Sequence, residues 1–421
     1  MTQITKNAAA KNAEDSSKKR MGPFVYLVAS QLLSFAAGSM SFLLTPWIAI
    51  ELTGQATTAG LIITLTSIPG LILSPVIGSI IDKYGRRRMA FAIEGMIALS
   101  SLAIAVMAST TVMNLAVFIT LVVIRSAVGS GSPVARKALV PDTARVAKIS
   151  LERANSIYEA VGAIGFATGP AVAAILITAL GSFNTFYVVT AVALAAAVTA
   201  FLVRVHEHKE EHDDDIGRNP LQFAAQGFVI LFKTPSVLVL MASITLLAVI
   251  YLPTEVVLLP KFYNENGNPQ ALGYLLGIMA LFTTVGSLGF EWLSTRVSFP
   301  TLLRFAILGV GLSMLPMALL PADWLMLVFG AFLGLAWGPL PPLLNTVIQR
   351  KIPANKRGRV FGLEMTVWTA GPMISMTLTG IAVDNYGVAA VYPYLAWAVL
   401  GAGILVSVSK SIRDLATAEY N

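Results

Sequence analysis

Apolar stretches of twenty or more residues with almost no charge recur along this 421-residue chain, and short basic segments separate them. Each stretch is long enough to cross a bilayer as a helix, which takes about 20 residues. Hydrophobic residues make up 56% of the chain and charged residues 12%, whereas soluble domains carry about 25% charged residues. The pattern excludes an ordinary soluble domain and leaves no room for a soluble catalytic domain, so we do not expect an enzyme.

The hydropathy pattern predicts an all-α integral membrane protein with twelve spanning helices. The predicted spans are 23–51, 58–81, 89–109, 113–135, 156–180, 184–203, 236–259, 271–293, 300–320, 324–347, 360–382 and 388–408. A long polar segment after the sixth span divides them into two groups of six. The predicted organisation is an N-terminal tail (1–22), a first bundle (23–203), a linker with an interfacial helix (204–235), a second bundle (236–408) and a C-terminal tail (409–421).

The distribution of Lys and Arg predicts the orientation. Of the 29 Lys and Arg residues, all except Arg125 and Lys261 fall in the two tails or in connections on one side of the predicted helices. Cytoplasmic segments of membrane proteins carry such an excess of basic residues. We therefore expect a multi-pass protein of the plasma membrane with both termini in the cytoplasm. The net charge of +7 then reflects orientation in the membrane rather than nucleic-acid binding.

The connection between the second and third predicted helices reads GSIIDKYGRRR, from Gly78 to Arg88. Gly78 allows a neighbouring helix to approach, Asp82 can accept from N–H groups at another helix N-terminus or pair with an arginine, and Gly85 permits a tight turn. An ordinary basic loop is the alternative. The spacing resembles the signature of the major facilitator superfamily in this connection. The resemblance implies a cytoplasmic latch that holds the outward-facing state, with Gly78, Asp82, Gly85 and Arg86 at the matching positions.

Predicted helix five contains Gly165, Gly169 and Pro170. The two glycines lie four residues apart, so a neighbouring helix can pack against them, while the proline loosens the helix. Gly371-Pro372 occupies the corresponding place in predicted helix eleven, which indicates two pseudo-symmetric six-helix bundles with substrate bound between them. The sequence is also similar to an exporter-associated motif of the superfamily, whose final two glycines are replaced here by Ala173-Ala174. The partial match favours export over import.

The segments 138–156 and 345–362 resemble the superfamily branch that contains macrolide-efflux proteins and the enterobactin exporter. In that branch Val-Pro-Asp and Arg-Ala-Asn-Ser flank helix five, and Val-Pro and Arg-Gly-Arg-Val flank helix eleven. Ile352 replaces the second valine here. The resemblance implies a drug:proton antiporter.

Three ionisable residues lie inside the predicted spans and are candidates for proton coupling. Arg125 lies about twelve residues into helix four, roughly 18 Å deep, where a charge normally faces a cavity or a partner. In members of the superfamily an arginine in this motif is associated with proton transfer. Glu94 and Glu255 are candidate proton carriers. The alternatives are structural ion pairs: for Arg125 and Glu94 within the bundle, and for Glu255 with Lys261.

Two tryptophans, Trp337 and Trp368, fall near the middle of their spans rather than at the membrane interfaces. Together with Gln31 and Asn345 they are candidates for lining a substrate cavity, and ordinary helix packing is the alternative. His206, His208 and His212 lie in the acidic linker, where nothing fixes the geometry of a metal site, so we expect a solvated linker and no metal. Cysteine is absent, which excludes disulfides and thiolate ligands.

These observations predict a secondary active exporter that works by alternating access and couples to protons. The expected substrate is a lipophilic drug or a secondary metabolite such as a siderophore. No Gly-x4-Gly-Lys-Ser/Thr motif occurs, so the proton gradient rather than a nucleotide cofactor is the expected energy source. The expected partners are a small lipophilic or amphipathic substrate and membrane lipids, and the protein is expected to be a monomer. A lysolipid or glycolipid flippase and a proton-coupled nutrient importer of the same fold are the alternatives.

Overall fold

The computed structural model describes residues 20–110, 113–205, 228–352 and 354–408. Both predicted tails fall almost entirely outside these ranges, as do the three histidines of the linker. Inside helices, the side chains of some further residues are also outside the described part of the structure, and Gly78 and Asp82 are among them. Of the predicted interfacial helix, residues 228–232 are described and are helical.

Long helices account for nearly all of the described chain. The N-terminal half contains α1 (Gly22–Thr53), α2 (Ala56–Tyr84), α3 (Arg86–Ala108), α4 (Leu115–Gly129), α5 (Ser132–Lys137), α6 (Val140–Ala147), α7 (Leu151–Leu180) and α8 (Thr185–Leu202). The C-terminal half begins with α9 (Pro235–Pro253), a π-helical turn (Thr254–Leu258) and α10 (Leu259–Glu265), which follow one another without a break. It continues with α11 (Pro269–Leu288), α12 (Phe290–Ser294), α13 (Phe299–Met317), α14 (Asp323–Trp337), α15 (Leu340–Lys351), α16 (Ala354–Tyr386) and α17 (Val388–Val408).

Ten helical segments within the described residues are long and apolar enough to cross a bilayer. They include the composite segments Leu115–Ala147 and Asp323–Ile348. The other two predicted spans fall on α2, which contributes the shorter apolar stretch Ala56–Gly70, and on α16, which is 33 residues long. The predicted all-helical membrane fold is therefore confirmed, and the helix order is consistent with twelve spans.

Two predicted spans are broken at glycine and proline. The fourth was expected over 113–135, but α4 ends at Gly129, and α5 starts after Gly131 with Pro133 in its first turn. Glycine weakens a helix interior, and proline fits only in the first turn of the helix that follows. The tenth predicted span breaks in the same way between α14 and α15, at Gly338-Pro339. The first break matters for function because α5 carries Arg136 into the protein interior.

The Gly-Pro helices α7 and α16 pack against corresponding helices in the two halves. A Cβ at Gly165 would lie 2.6 Å from the Leu32 carbonyl oxygen of α1, and one at Gly169 would lie 2.9 Å from the Ala36 carbonyl oxygen. Close approach of helix backbones is what small residues provide inside a membrane. Gly371 of α16 faces the Val249 side chain of α9, where a Cβ would lie 3.0 Å from the valine Cγ2. The corresponding helices therefore pack against each other in both halves, but the close backbone contact is present only between α7 and α1.

Hydrogen bonds between described residues of the two halves lie at one end of the molecule. We call it the far end; its helix connections turn at Gly54, Gly181, Gly267 and Gly387, all with positive φ. The opposite end, which carries Arg86, Lys137 and Lys351, we call the basic end.

At the far end the Asp384 carboxylate of α16 accepts from the backbone N–H groups of Ala56 (2.7 Å) and Thr57 (2.8 Å) at the start of α2. The Thr64 hydroxyl donates to the Met373 carbonyl oxygen at 2.7 Å. Lys261 donates to the Gly54 carbonyl oxygen. These contacts hold the halves together at the end away from the basic connections.

Candidate functional site

A buried ion pair joins α3 and α5 in the N-terminal half. Glu94 and Arg136 are each 1% exposed, and the Arg136 guanidinium donates to the Glu94 carboxylate. Arg136 also donates to the Gln31 side-chain oxygen at 3.0 Å and to the Ser34 hydroxyl at 2.7 Å. The pair therefore has several additional hydrogen bonds, which a buried pair needs to offset its loss of hydration.

Glu94 nevertheless keeps one oxygen without a partner. Its Oε1 accepts from Ser34, Ser132 and Arg136, whereas Oε2 is buried and has no hydrogen-bond partner among the residues that the structure describes. The structural pairing considered for Glu94 in the sequence is thus present, and its partner is Arg136. Sequence reasoning had counted Arg136 with the basic connections. The sequence does contain a signal for this pairing. Pro133 favours the start of a new helix, and Ser132 and Arg136 are four residues apart, which places both side chains on one face of that helix.

Removal of one partner of this pair is expected to destabilise the protein strongly. Arg136→Gln leaves a carboxylate buried without its cation, which costs about 3–5 kcal/mol. Lys137→Gln is the matched control, because Lys137 pairs with Glu159 at 2.8 Å while the two side chains are 63% and 58% exposed. Exposed pairs contribute about 0–1 kcal/mol. Thermal unfolding of the purified variants in detergent measures the difference, and equal unfolding temperatures for the two variants contradict it.

Arg125 faces a cavity of about 480 Å³ in the N-terminal half. Its Nε donates to the Ser101 hydroxyl at 3.0 Å, and among the residues that the structure describes no further hydrogen bond comes from its guanidinium. Hydroxyl groups line much of this cavity: Ser34, Ser39, Ser41, Thr45, Thr66, Ser67, Ser126, Ser130 and Ser132. The intramembrane charge predicted from the sequence therefore faces a polar cavity.

A second cavity of about 380 Å³ lies between the two halves. Phe35, Phe42 and Phe166 line both cavities, so the two cavities adjoin at these aromatic side chains. The C-terminal half contributes Tyr251, Leu252, Glu255, Leu276, Met279, Ala280, Thr283, Thr284 and Trp337. Together the two adjoining cavities, which we call the combined cavity, expose mostly apolar surface, and hydroxyl groups and a few charged side chains interrupt it. A mostly apolar lining is expected of a site for small lipophilic molecules.

Glu255 lies in the π-helical turn and faces the cavity between the halves. It accepts a hydrogen bond from the hydroxyl of Tyr251, one turn earlier. The ion pair with Lys261, considered as an alternative from the sequence, is not present, because Lys261 pairs with Glu265 at 3.1 Å and points to the far end. Lys261 lies six positions after Glu255, beyond the end of the π-helical turn, so the two side chains leave the helix at different levels.

The structure does not bring together the four residues predicted to line a substrate cavity. Trp337 lines the cavity and contacts Trp368 edge to face, with ring centroids 6.0 Å apart. Trp337 also packs against Tyr251 at 5.1 Å. Gln31 does not join them, since it is 2% exposed and hydrogen-bonded to Arg136. Asn345 is exposed on α15 and is not among the residues that line either cavity.

The predicted gating residues lie at the basic end. Gly85 joins α2 to α3 with a φ of 93°, a conformation that favours glycine. Arg86 donates to the Ala138 carbonyl oxygen at 3.1 Å and lies 3.6 Å from the Asp142 carboxylate, so it ties the α2–α3 connection to α6. Gly78 and the side chain of Asp82 lie outside the described part of the structure. Gly165 and Gly169 contact α1, and Pro170 lies at the contact between α7 and α11.

The sequence profile described as Major Facilitator Superfamily matches residues 27–376 and 256–413 of this chain. The chain belongs to that superfamily. The resemblance drawn from the α2–α3 connection is confirmed, and the superfamily assignment identifies the chain as a multi-pass membrane transporter.

Two curated transporters are similar to this chain over most of their length. The "Multidrug efflux pump Tap" of Mycolicibacterium fortuitum is 29% identical over 402 residues, which cover 94% of this chain and 98% of that protein. "Macrolide efflux protein A" of Streptococcus pyogenes is 24% identical over 374 residues, which cover 87% of this chain and 89% of that protein. These relatives match the drug-efflux branch suggested by the segments around α7 and α16.

Solved structures with a similar fold include the nucleoside transporter NupG, with a TM-score of 0.76 at 13% identity, covering 91% of this chain and 98% of that chain. A bacterial homologue of the iron transporter ferroportin, in an inward-facing state, gives a TM-score of 0.68 at 15% identity and covers 94% of this chain and 99% of that chain. At these identities the likeness shows the fold, and it confirms the major facilitator fold for this chain.

Proposed function

We propose that this transporter exports small lipophilic drugs or secondary metabolites in exchange for protons. The observation that carries the proposal is the pair of adjoining cavities, one in the N-terminal half and one between the halves, with shared aromatic side chains and an intramembrane carboxylate in each half. The names of its relatives, a multidrug efflux pump and a macrolide efflux protein, support the same substrate range. An apolar site with a few polar groups can accept ligands of varied shape.

The cavity is closed at the far end, which is the state in which an exporter would load its substrate. The exposed Glu159 lines the cavity near the basic end, while the contacts of Asp384, Thr64 and Lys261 close the far end. Under the positive-inside rule, the basic end faces the cytoplasm, together with both chain termini. In this orientation a lipophilic molecule enters the cavity from the cytoplasm or the inner leaflet. Alternating access then requires the far-end contacts to break so that the cavity opens outward.

Glu255 is the better candidate for the coupling proton. It faces the cavity and accepts from a phenol hydroxyl, whereas Glu94 is already paired with a buried guanidinium. A proton that binds Glu255 meets no fixed cation that it must displace. The transported molecule and the proton therefore have access to the same carboxylate from the same cavity, which is the arrangement needed for exchange.

Substrate-induced proton release tests the proposed function. In inverted membrane vesicles with an imposed proton gradient, macrolides, dyes, siderophores and lysolipids are added one at a time. We expect at least one lipophilic drug to collapse the gradient in vesicles that contain this protein and not in vesicles from cells without it. A response to lysolipids alone identifies a flippase. Accumulation of a nutrient in right-side-out vesicles, with no drug response in inverted ones, overturns export.

A further inference from the structure

Two charges on opposite sides of the combined cavity have no ionic partner among the residues that the structure describes. Arg125 lies on the wall formed by the N-terminal half, and Glu255 lies on the wall formed by the C-terminal half. Arg125 donates to a serine hydroxyl, and the carboxylate that also interacts with it at longer range, Glu94, is directly paired with Arg136. Two guanidinium groups therefore share one carboxylate on this side, while Glu255 accepts from a tyrosine hydroxyl on the other side.

The other charged residues that line the cavity are paired. Glu94 and Arg136 form the buried ion pair, and Glu159 pairs with Lys137 at the basic end. An uncompensated charge inside a membrane is costly and usually marks a site for substrate, ion or partner. Because one positive and one negative charge remain, a ligand with a single charge of either sign would leave the other without a partner.

The wall between these charges is apolar and aromatic. Phe35, Phe42 and Phe166 line both parts of the cavity, with the Phe42 and Phe166 rings 6.1 Å apart. On the Glu255 side Trp337 packs against Tyr251, and an aromatic surface of this kind attracts a cationic amine. On the Arg125 side the hydroxyls of Ser67, Ser126 and Ser130 already donate to backbone carbonyl oxygens. The guanidinium of Arg125 is therefore the donor there for an anionic oxygen group.

We propose that the site selects amphoteric lipophilic molecules: an apolar body carrying a carboxylate or comparable acidic oxygen group at one end and a basic amine at the other. The acidic group binds Arg125, the body lies on the phenylalanine wall, and the amine binds beside Glu255. The proposal rests on the proposed function for the identity of the site, and it adds the class of substrate. Such a molecule provides both uncompensated charges with partners at once.

Rhodamine B and its ethyl ester form a matched pair of probes for this proposal. The two share the same aromatic body and the same xanthene cation, whose charge is delocalised onto two diethylamino nitrogens and stands in for the amine. The ester lacks the free carboxylate. Binding to the purified protein in nanodiscs is measured by equilibrium dialysis. We expect rhodamine B to bind at least about tenfold more tightly than the ester, the usual size for a hydrogen bond to a charged group. Equal affinity for the two probes, or tighter binding of the ester, overturns the proposal without any variant.

Two variants assign the charges. Arg125→Gln is expected to weaken binding of rhodamine B to the level of the ester and to leave binding of the ester unchanged. Glu255→Gln is expected to weaken binding of both probes by a similar factor, since both probes carry the cation. Arg125→Lys, which keeps a positive charge, should preserve part of the preference for the acid. If Arg125→Gln weakens binding of both probes by the same factor at an unchanged unfolding temperature, the assigned role of Arg125 is contradicted.

This binding test separates the substrate class from the proposed function. A preference for rhodamine B in a protein that gives no proton release in vesicles supports amphoteric recognition and rejects proton-coupled export. Proton-coupled export with equal binding of the two probes supports the proposed function and rejects amphoteric recognition.

Discussion

Glu255→Gln is expected to abolish substrate-induced proton release in inverted vesicles. Glutamine preserves the size of the side chain and can still accept from the Tyr251 hydroxyl, but it cannot take up a proton. Loss of a positioned group that transfers a proton typically lowers a rate by about 100-fold or more. We expect a loss of that size in proton-driven transport, together with a flat pH profile for any transport that remains.

Glu159→Gln is the matched control, because Glu159 lines the same cavity but is 58% exposed near the basic end. It should keep near-normal coupling, since an exposed carboxylate exchanges protons with solvent whichever end is open. Glu94→Gln separates the two roles considered for the other intramembrane acid. A loss of stability comparable to that of Arg136→Gln indicates an ion pair, whereas normal stability with lost coupling would move the proton site to Glu94. Wild-type proton release by Glu255→Gln rules out Glu255 as the carrier.

Much of the fold could be predicted because membrane helices follow local rules. Length and hydropathy give the spans, and the Lys and Arg distribution gives the expected orientation. The superfamily could be recognised from the α2–α3 connection because the residues that carry its signature lie within one short segment. Arg125 could be singled out because a charge inside a span is rare enough to be noticed without a structure.

The pairing of the charges could not be predicted, because it depends on contacts between helices distant in the sequence. Arg136 was counted with a basic connection, yet the break at Gly129–Gly131 turns α5 inward and places its guanidinium on Glu94, 42 positions away. That pairing also takes Gln31 away from the cavity. Glu255 and Lys261 are close in sequence, which suggested an ion pair, but the π-helical turn between them separates the two side chains.

Asp384→Ala is expected to move the protein toward a state open at the far end. The Asp384 carboxylate caps the start of α2 from the other half of the molecule, at 2.7 and 2.8 Å from two backbone nitrogens. A carboxylate at a helix N-terminus also interacts favourably with the helix dipole. Because this cap exists only while the far end is closed, its loss destabilises that state and leaves the folded halves intact.

The effect should be large enough to measure directly. Loss of an N-cap typically costs about 1–2 kcal/mol, which changes the ratio of two states about 5- to 30-fold. The chain contains no cysteine, so a single Ser67→Cys in the cavity wall provides one labelling site. A membrane-impermeant maleimide added to intact cells should label Ser67→Cys faster by that factor when Asp384→Ala is also present. Asp384→Asn should have a smaller effect, because asparagine is also a good N-cap.

Asp323→Ala provides the control for this prediction. Asp323 is another acid at the far end, but it accepts from the Asn268 side chain at 3.2 Å within the same half. Its loss should leave the labelling rate unchanged, because it joins no elements that separate when the cavity opens. A comparable increase in both variants would mean that removal of negative charge from this surface, rather than release of α2, exposes the cavity. An unchanged rate in Asp384→Ala would show that the close packing at Gly60 and Gly380 holds the far end closed without the carboxylate.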